Sequence, residues 1–226
     1  GLVRTAQKFI TSQPADKRHK AVMLKLMDAL EALSRNQELI AACRQFLERY
    51  PNEPESAAIE VRLARTLERT PDRLRTAMAW RSVWQRQTGT PAGRRAGTRA
   101  IVLCEPLRSA ESVQLAADVA DDMLGKLPPG PLVGEVGYRP FVMLCAANQP
   151  AKANSLAAKL LAKGGITDQR LLRDVHQRMS QNYQVLGQFA NAVESLRKAL
   201  AIEAAPEAHS MLIALLPTPP VEPVTT

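Results

Sequence analysis

The chain reads as all-α, a succession of antiparallel helix pairs without a sheet, and three observations predict this. Apolar residues recur at helical spacing through most of the 226 residues and nowhere alternate with period two over a useful length. Aromatics make up only 4% of the chain against 46% apolar residues, so Ala and Leu supply most of the packing surface, which favours helix on helix over a β-sandwich core. Pro51, Pro71, Pro91, Pro128, Pro129 and Pro206 all fall where one helical pattern stops and another begins. Since proline in a helix interior costs about 3 kcal/mol, these positions map helix boundaries.

Taken in order, Gly1–Ile10 reads as the end of a helix already under way, which predicts a piece of a longer protein. A first helix pair is expected over about 17–51, as Lys17–Ser34 and Gln37–Tyr50. The second, over 55–88, pairs Glu55–Arg69 with Asp72–Gln87, and Thr70 or Asp72 is suited to cap the new helix. The third is expected over 93–127, its return helix opening at Ser109-Ala-Glu-Ser112; Leu127-Pro-Pro-Gly-Pro-Leu132 then breaks the pattern. The fourth, the shortest, covers 138–164 as Tyr138–Ala147 and Pro150–Lys163, and Gly164-Gly165 leads to the fifth over 168–204. Residues 206–216 are expected to form a helix covering the last apolar face, because stacked pairs bury their apolar sides only against neighbours. The proline-rich stretch 217–226 reads as an extended tail or linker.

One unit recurs. A large residue followed by a small one stands inside a helical pattern at Leu63-Ala64, Leu103-Cys104, Leu144-Cys145 and Met179-Ser180, at spacings of 40, 41 and 35 residues. Leu26-Met27 lies 37 residues before Leu63, with the small residue lost. Thirteen positions after three of these large residues come Ala116, Ala157 and Ala192, with Ala77 one residue late in the remaining unit. In the last unit Gly187 suits the left-handed turn between helices, and Phe189, Val193, Leu196 and Leu200 follow at helical spacing.

With Met179-Ser180 at the large-small pair, Gly187 at the turn, Phe189 at the aromatic position and Ala192 and Ala199 at the small positions of the second helix, this unit resembles a tetratricopeptide repeat. The resemblance implies a right-handed α-α superhelix, a solenoid of about five antiparallel helix hairpins plus a terminal covering helix, forming one array over 1–216. It also implies a non-catalytic scaffold that binds a peptide or partner protein in a concave groove.

The formal charge of +8 is local: residues 62–99 hold ten arginines against Glu68 and Asp72, and the remainder of the chain is balanced. Arg62, Arg65 and Arg69 share one helix face by their i, i+3, i+7 spacing. Aligned on the family pattern, Arg65 and Arg69 match groove-facing positions and could grip a carboxylate, a phosphate or an acidic peptide. The favoured alternative is that they pair with Asp28 and Glu31 of the preceding hairpin. Arg94, Arg95 and Arg99 follow the Thr-Gly-Thr-Pro-Ala-Gly loop and are expected to be freer for an anionic partner. Trp80 and Trp84, at i and i+4, are expected to pack between hairpins two and three rather than to form a binding ledge.

No catalytic, metal or cofactor motif is present. His19, His176 and His209 are dispersed without a metal-binding spacing, no phosphate-cradling loop or Gly-x-Ser-x-Gly occurs, and Cys43, Cys104 and Cys145 lie apart within helical patterns as small hydrophobes. No stretch is long and apolar enough for membrane insertion. The partner that the resemblance implies is a protein or peptide, with an acidic one matching the arginines. A weaker alternative is a nucleic-acid-binding helical repeat using the segment 62–99, supported by the likeness of Ala162–Asp168 to the inter-repeat segment of pentatricopeptide proteins. A further alternative is the docking region of a larger enzyme. Compartment and oligomeric state have no sequence signal.

Overall fold

The computed structural model describes residues 1–202 and 206–215, which hold twelve α-helices, a 3-10 turn at Glu105–Leu107 and no strand. The all-α expectation therefore holds for the described residues, and the tail expected over 217–226 lies outside them. The chain divides into two compact units, Gly1–Val119 and Ala120–Thr226, and the boundary falls within one helix.

In the first unit α1 (Leu2–Ser12) packs on α2 (His19–Ala32), which turns back through α3 (Asn36–Arg49). Val3, Ala6 and Ile10 place one face of α1 against Met23, Leu26, Met27 and Leu30 of α2 and Phe46 of α3, a single apolar cluster. The next pair, α4 (Ser56–Leu67) and α5 (Arg73–Arg86), follows, and α5 packs in turn on α6 (Pro91–Cys104). Beyond the 3-10 turn, α7 (Ala110–Lys126) runs through the boundary between the units. The starts of α5 and α6 are fixed by side chains that accept otherwise orphaned backbone N–H groups: Asp72 accepts from Arg75 and Thr90 from Gly93, each at 3.0 Å.

The second unit contains α8 (Pro131–Ala146), α9 (Pro150–Ala162), α10 (Gln169–Val185), α11 (Phe189–Ile202) and α12 (Pro206–Leu215). Successive helices pack on one another throughout, α12 against α11. The repeat read in the sequence has a packing counterpart in both units. The small residues Ala64, Cys104 and Ser180 and the return-helix alanines Ala77, Ala116, Ala157 and Ala192 are all fully buried. A small side chain at a crossing lets two helices approach closely, and the flanking large residues fill the space beside it.

Three tight turns share one geometry. Ser34, Asn148 and Gly187 have φ near +50 to +70°, at 54°, 52° and 70°. At each, the following N–H bonds five residues back, Arg35 to Leu30, Gln149 to Leu144 and Gln188 to Tyr183, at 2.8 to 3.0 Å. The left-handed residue itself bonds three back, to Glu31, Cys145 and Gln184. This double bond is the Schellman termination, and of its three instances only Gly187 advertises itself by residue type.

Two local expectations need correction. The fourth hairpin's first helix starts at Pro131, seven residues before the expected Tyr138, and continues through Pro140. Pro131 suits a helix start because its missing N–H is one of the orphans there. The interior Pro140 forgoes a backbone bond, a loss offset by burial of Val133, Val136, Phe141 and Leu144 on the same helix. Phe189, expected within the packing stripe of α11, is the first residue of that helix and stays 58% exposed.

His19 is buried at the start of α2, with its Nδ1 3.0 Å from the Tyr50 hydroxyl. Burial, helped by the nearby Arg49 charge, lowers its pKa below the usual histidine value. A histidine kept neutral in the fold contributes stability that is present above its unfolded pKa and is lost as pH falls towards the depressed folded value. The thermal midpoint is therefore expected to drop between about pH 7 and about pH 5, and to drop less in His19→Phe. An equal drop in the variant would remove His19 as the cause.

Candidate functional site

Helix α4 buries Ile59, Glu60, Ala64 and Leu67 on one side, leaving Ala58, Arg62 and Arg65 on another. That second face, together with Leu24, Asp28 and Glu31 of α2, encloses an open groove of about 870 Å³. Leu24, Pro54, Ala57, Ala58, Ile59 and Val61 make its apolar surface, and Gln87 stands at its edge. The groove lies entirely within the first unit.

Its charged residues are not equivalent. The Arg62 guanidinium donates to Asp28 at 2.9 Å through Nη2 and to Glu31 at 3.2 Å through Nε, bridging α4 to α2. Asp28 and Glu31, the partners anticipated for Arg65 and Arg69, are thus held by Arg62. Arg69 instead reaches Asn36 Oδ1 at 3.4 Å, and Arg65 is exposed with no ion pair or hydrogen bond among the described residues. Glu55, which also lines the groove, lies 3.1 Å from Lys20 Nζ, which is 2.9 Å from Glu53.

The remaining nominated arginines lie apart from this groove. Arg99 pairs with Glu68 at 2.7 Å, and the same carboxylate oxygen accepts the Trp80 indole N–H at 3.0 Å. Arg94 is tied to the Gly89 carbonyl at 3.0 Å, while Arg95 is exposed without a partner among the described residues. Arg86, not nominated, binds Glu60 at 2.8 Å and the Pro51 carbonyl at 2.7 Å. Four of the ten arginines of 62–99, namely Arg62, Arg69, Arg86 and Arg99, thus link neighbouring elements. Trp84 is fully buried and Trp80 half-buried.

The other candidate chemistry is quiet. Burial pushes the Cys43 thiol up to about 12 and Cys104 to about 11, and raises that of Cys145, so none is an activated thiolate. Among the described residues no three His, Cys, Asp or Glu side chains are grouped to hold a metal ion, and no helix is long and apolar enough to cross a membrane. His176 is half-buried and its pKa is lowered by burial and by Lys198.

The second unit carries a bridge that sequence reasoning missed. The Tyr138 hydroxyl of α8 donates to Asp174 Oδ2 of α10 at 2.9 Å, and Arg178 donates to the same oxygen at 2.7 Å. Burial, then the Asp174 bond, pushes the Tyr138 hydroxyl up to about 12. The only sequence signal was a separation of 36 residues, one repeat. Beside it, Asn182 donates to Asn154 at 2.9 Å and to the Cys145 sulfur at 3.4 Å.

No protein-family model matches the sequence, and no curated protein matches it. Among solved structures the chain is similar to MamA, at 14% identity over 83% of this chain and 93% of that one, with a TM-score of 0.42. It is similar to TTC0263, a thermophilic TPR protein of Thermus thermophilus, at 16% identity over 87% and 98% and a TM-score of 0.38. A third is YrrB, described as a TPR protein with an unusual peptide-binding site, at 12% identity over 94% and 99% and a TM-score of 0.43. In its own coordinates the chain is, over the described residues, an all-α succession of short-turned helix pairs, with Schellman turns at Ser34, Asn148 and Gly187 and buried small residues at Ala64, Cys104 and Ser180.

Proposed function

We propose that the protein is a non-catalytic interaction scaffold that holds a peptide or a segment of a partner protein in the groove between α2 and α4. The observation that carries this is the groove itself, an open apolar surface edged by Arg65, whose guanidinium meets no partner among the described residues. Apolar area supplies affinity when it is covered, and a forked cation at the rim supplies orientation. The nucleic-acid alternative draws on the arginines of 62–99. Of the ten, Arg62, Arg75, Arg86 and Arg99 are paired to carboxylates and Arg69 and Arg94 are hydrogen-bonded to neighbours, which leaves only part of the basic segment for a phosphate backbone.

The test is affinity capture with the full-length protein, comparing wild type with Ala58→Trp, which fills the groove from an exposed position, and with Arg65→Glu. Both variants are expected to keep the wild-type circular dichroism and to lose the same partner by tenfold or more, about 1.4 kcal/mol. An unchanged set of partners in both variants would sink the proposal.

A further inference from the structure

Resting on the groove reading above, we infer that the segment this groove accepts carries charges of both signs, an acidic side chain for Arg65 and a basic one for Asp28 and Glu31, on either side of an apolar stretch. The arginine-rich sequence alone points to an acidic ligand, but the assembled site is not basic. The groove is lined by three carboxylates, Asp28, Glu31 and Glu55, against two cations, Arg62 and Arg65.

The pairing divides these charges into two places. Arg62 is held by two carboxylates at 2.9 and 3.2 Å, so that cluster keeps one negative charge in excess, and the Asp28 side chain is 64% exposed and open to a further donor. One turn along α4, Arg65 has no carboxylate of its own among the described residues. An ammonium or guanidinium group is thus favoured on the α2 wall, and a carboxylate is favoured beyond it. A wholly acidic segment would meet Asp28 and Glu31 as like charges, and a wholly basic one would meet Arg65. Arg62 is in this arrangement a positioning residue, holding the acidic wall in register with α4 rather than touching the ligand.

The experiment uses the full chain and three short synthetic peptides sharing one Leu/Ala-rich sequence, carrying a Lys and a Glu, two Glu, or two Lys on adjacent turns, read by fluorescence anisotropy. Wild type is expected to bind the Lys/Glu peptide about tenfold more tightly than either single-sign peptide. Arg65→Glu is expected to move the preference to the two-Lys peptide, and Asp28→Lys to the two-Glu peptide, each with wild-type circular dichroism. Binding of the two-Glu peptide as tight as that of the mixed one, abolished by Ala58→Trp, would overturn the inference and leave the groove reading standing. Failure of all three peptides to bind wild type would overturn both.

Discussion

Gly93→Ala is expected to destabilise the first unit by about 2 kcal/mol or more, although alanine is the better helix former. A Cβ at position 93 would lie 2.1 Å from the Gln87 carbonyl oxygen and 2.7 Å from its carbon. Both are backbone atoms at the end of α5, so no side chain can rotate aside and the turn into α6 would have to move. That turn also carries the Thr90 cap, whose hydroxyl accepts the Gly93 N–H. Gly125→Ala is the control: that glycine also sits within a helix, but a Cβ there meets nothing within 4 Å. It should gain roughly 0.5 to 1 kcal/mol. Urea unfolding of both variants checks the pair, and a Gly93→Ala midpoint at or above wild type would refute the close approach.

The second large effect is expected at Trp84. It is 1% exposed and among the largest fully buried side chains, so Trp84→Ala should cost about 4 kcal/mol through lost burial and the void left behind. Trp80, four residues away on the same helix, is half-buried and holds Glu68 through one indole N–H. Trp80→Phe removes that bond while Arg99 still holds the carboxylate, and the cost should be about 1 kcal/mol. Equal losses at the two positions, measured by the same unfolding assay, would show that the burial difference does not govern stability here.

These residues also mark where sequence reasoning reaches its limit. Pairing of the helices was legible because the partners within a hairpin are neighbours along the chain, and their apolar spacing and turn residues are local signals. Ser34 and Asn148 escaped notice because they adopt the same left-handed turn as Gly187 without being glycine. The early start of α8 escaped because Pro131 reads as part of the break Leu127-Pro-Pro-Gly-Pro-Leu132, although proline suits the first position of a helix. In the fold Gly134 faces the Gly165 carbonyl at a distance that admits no side chain, and Gly137 lies close against the Leu160 side chain. A glycine that weakens a helix locally is the residue that lets another backbone come close.

The candidate groove was only partly legible. Its arginine face followed from the spacing of Arg62, Arg65 and Arg69, but spacing cannot say which guanidinium meets which carboxylate. Arg62 took Asp28 and Glu31, leaving Arg65 without a partner among the described residues and so turning an apparently basic feature into a site edged by both signs.

What the amino-acid order determined by itself is therefore the helical class, the repeat of about 35 to 41 residues and the small side chains at the crossings, because these rest on apolar spacing within a hairpin and on its recurrence along the chain. What only the tertiary structure decided is which charges are neutralised and which backbones touch. Arg99 meets Glu68 across 31 residues and Tyr138 meets Asp174 across 36, about one repeat away. Such pairings depend on how one hairpin is set against the next, and that register is fixed by packing rather than by local pattern.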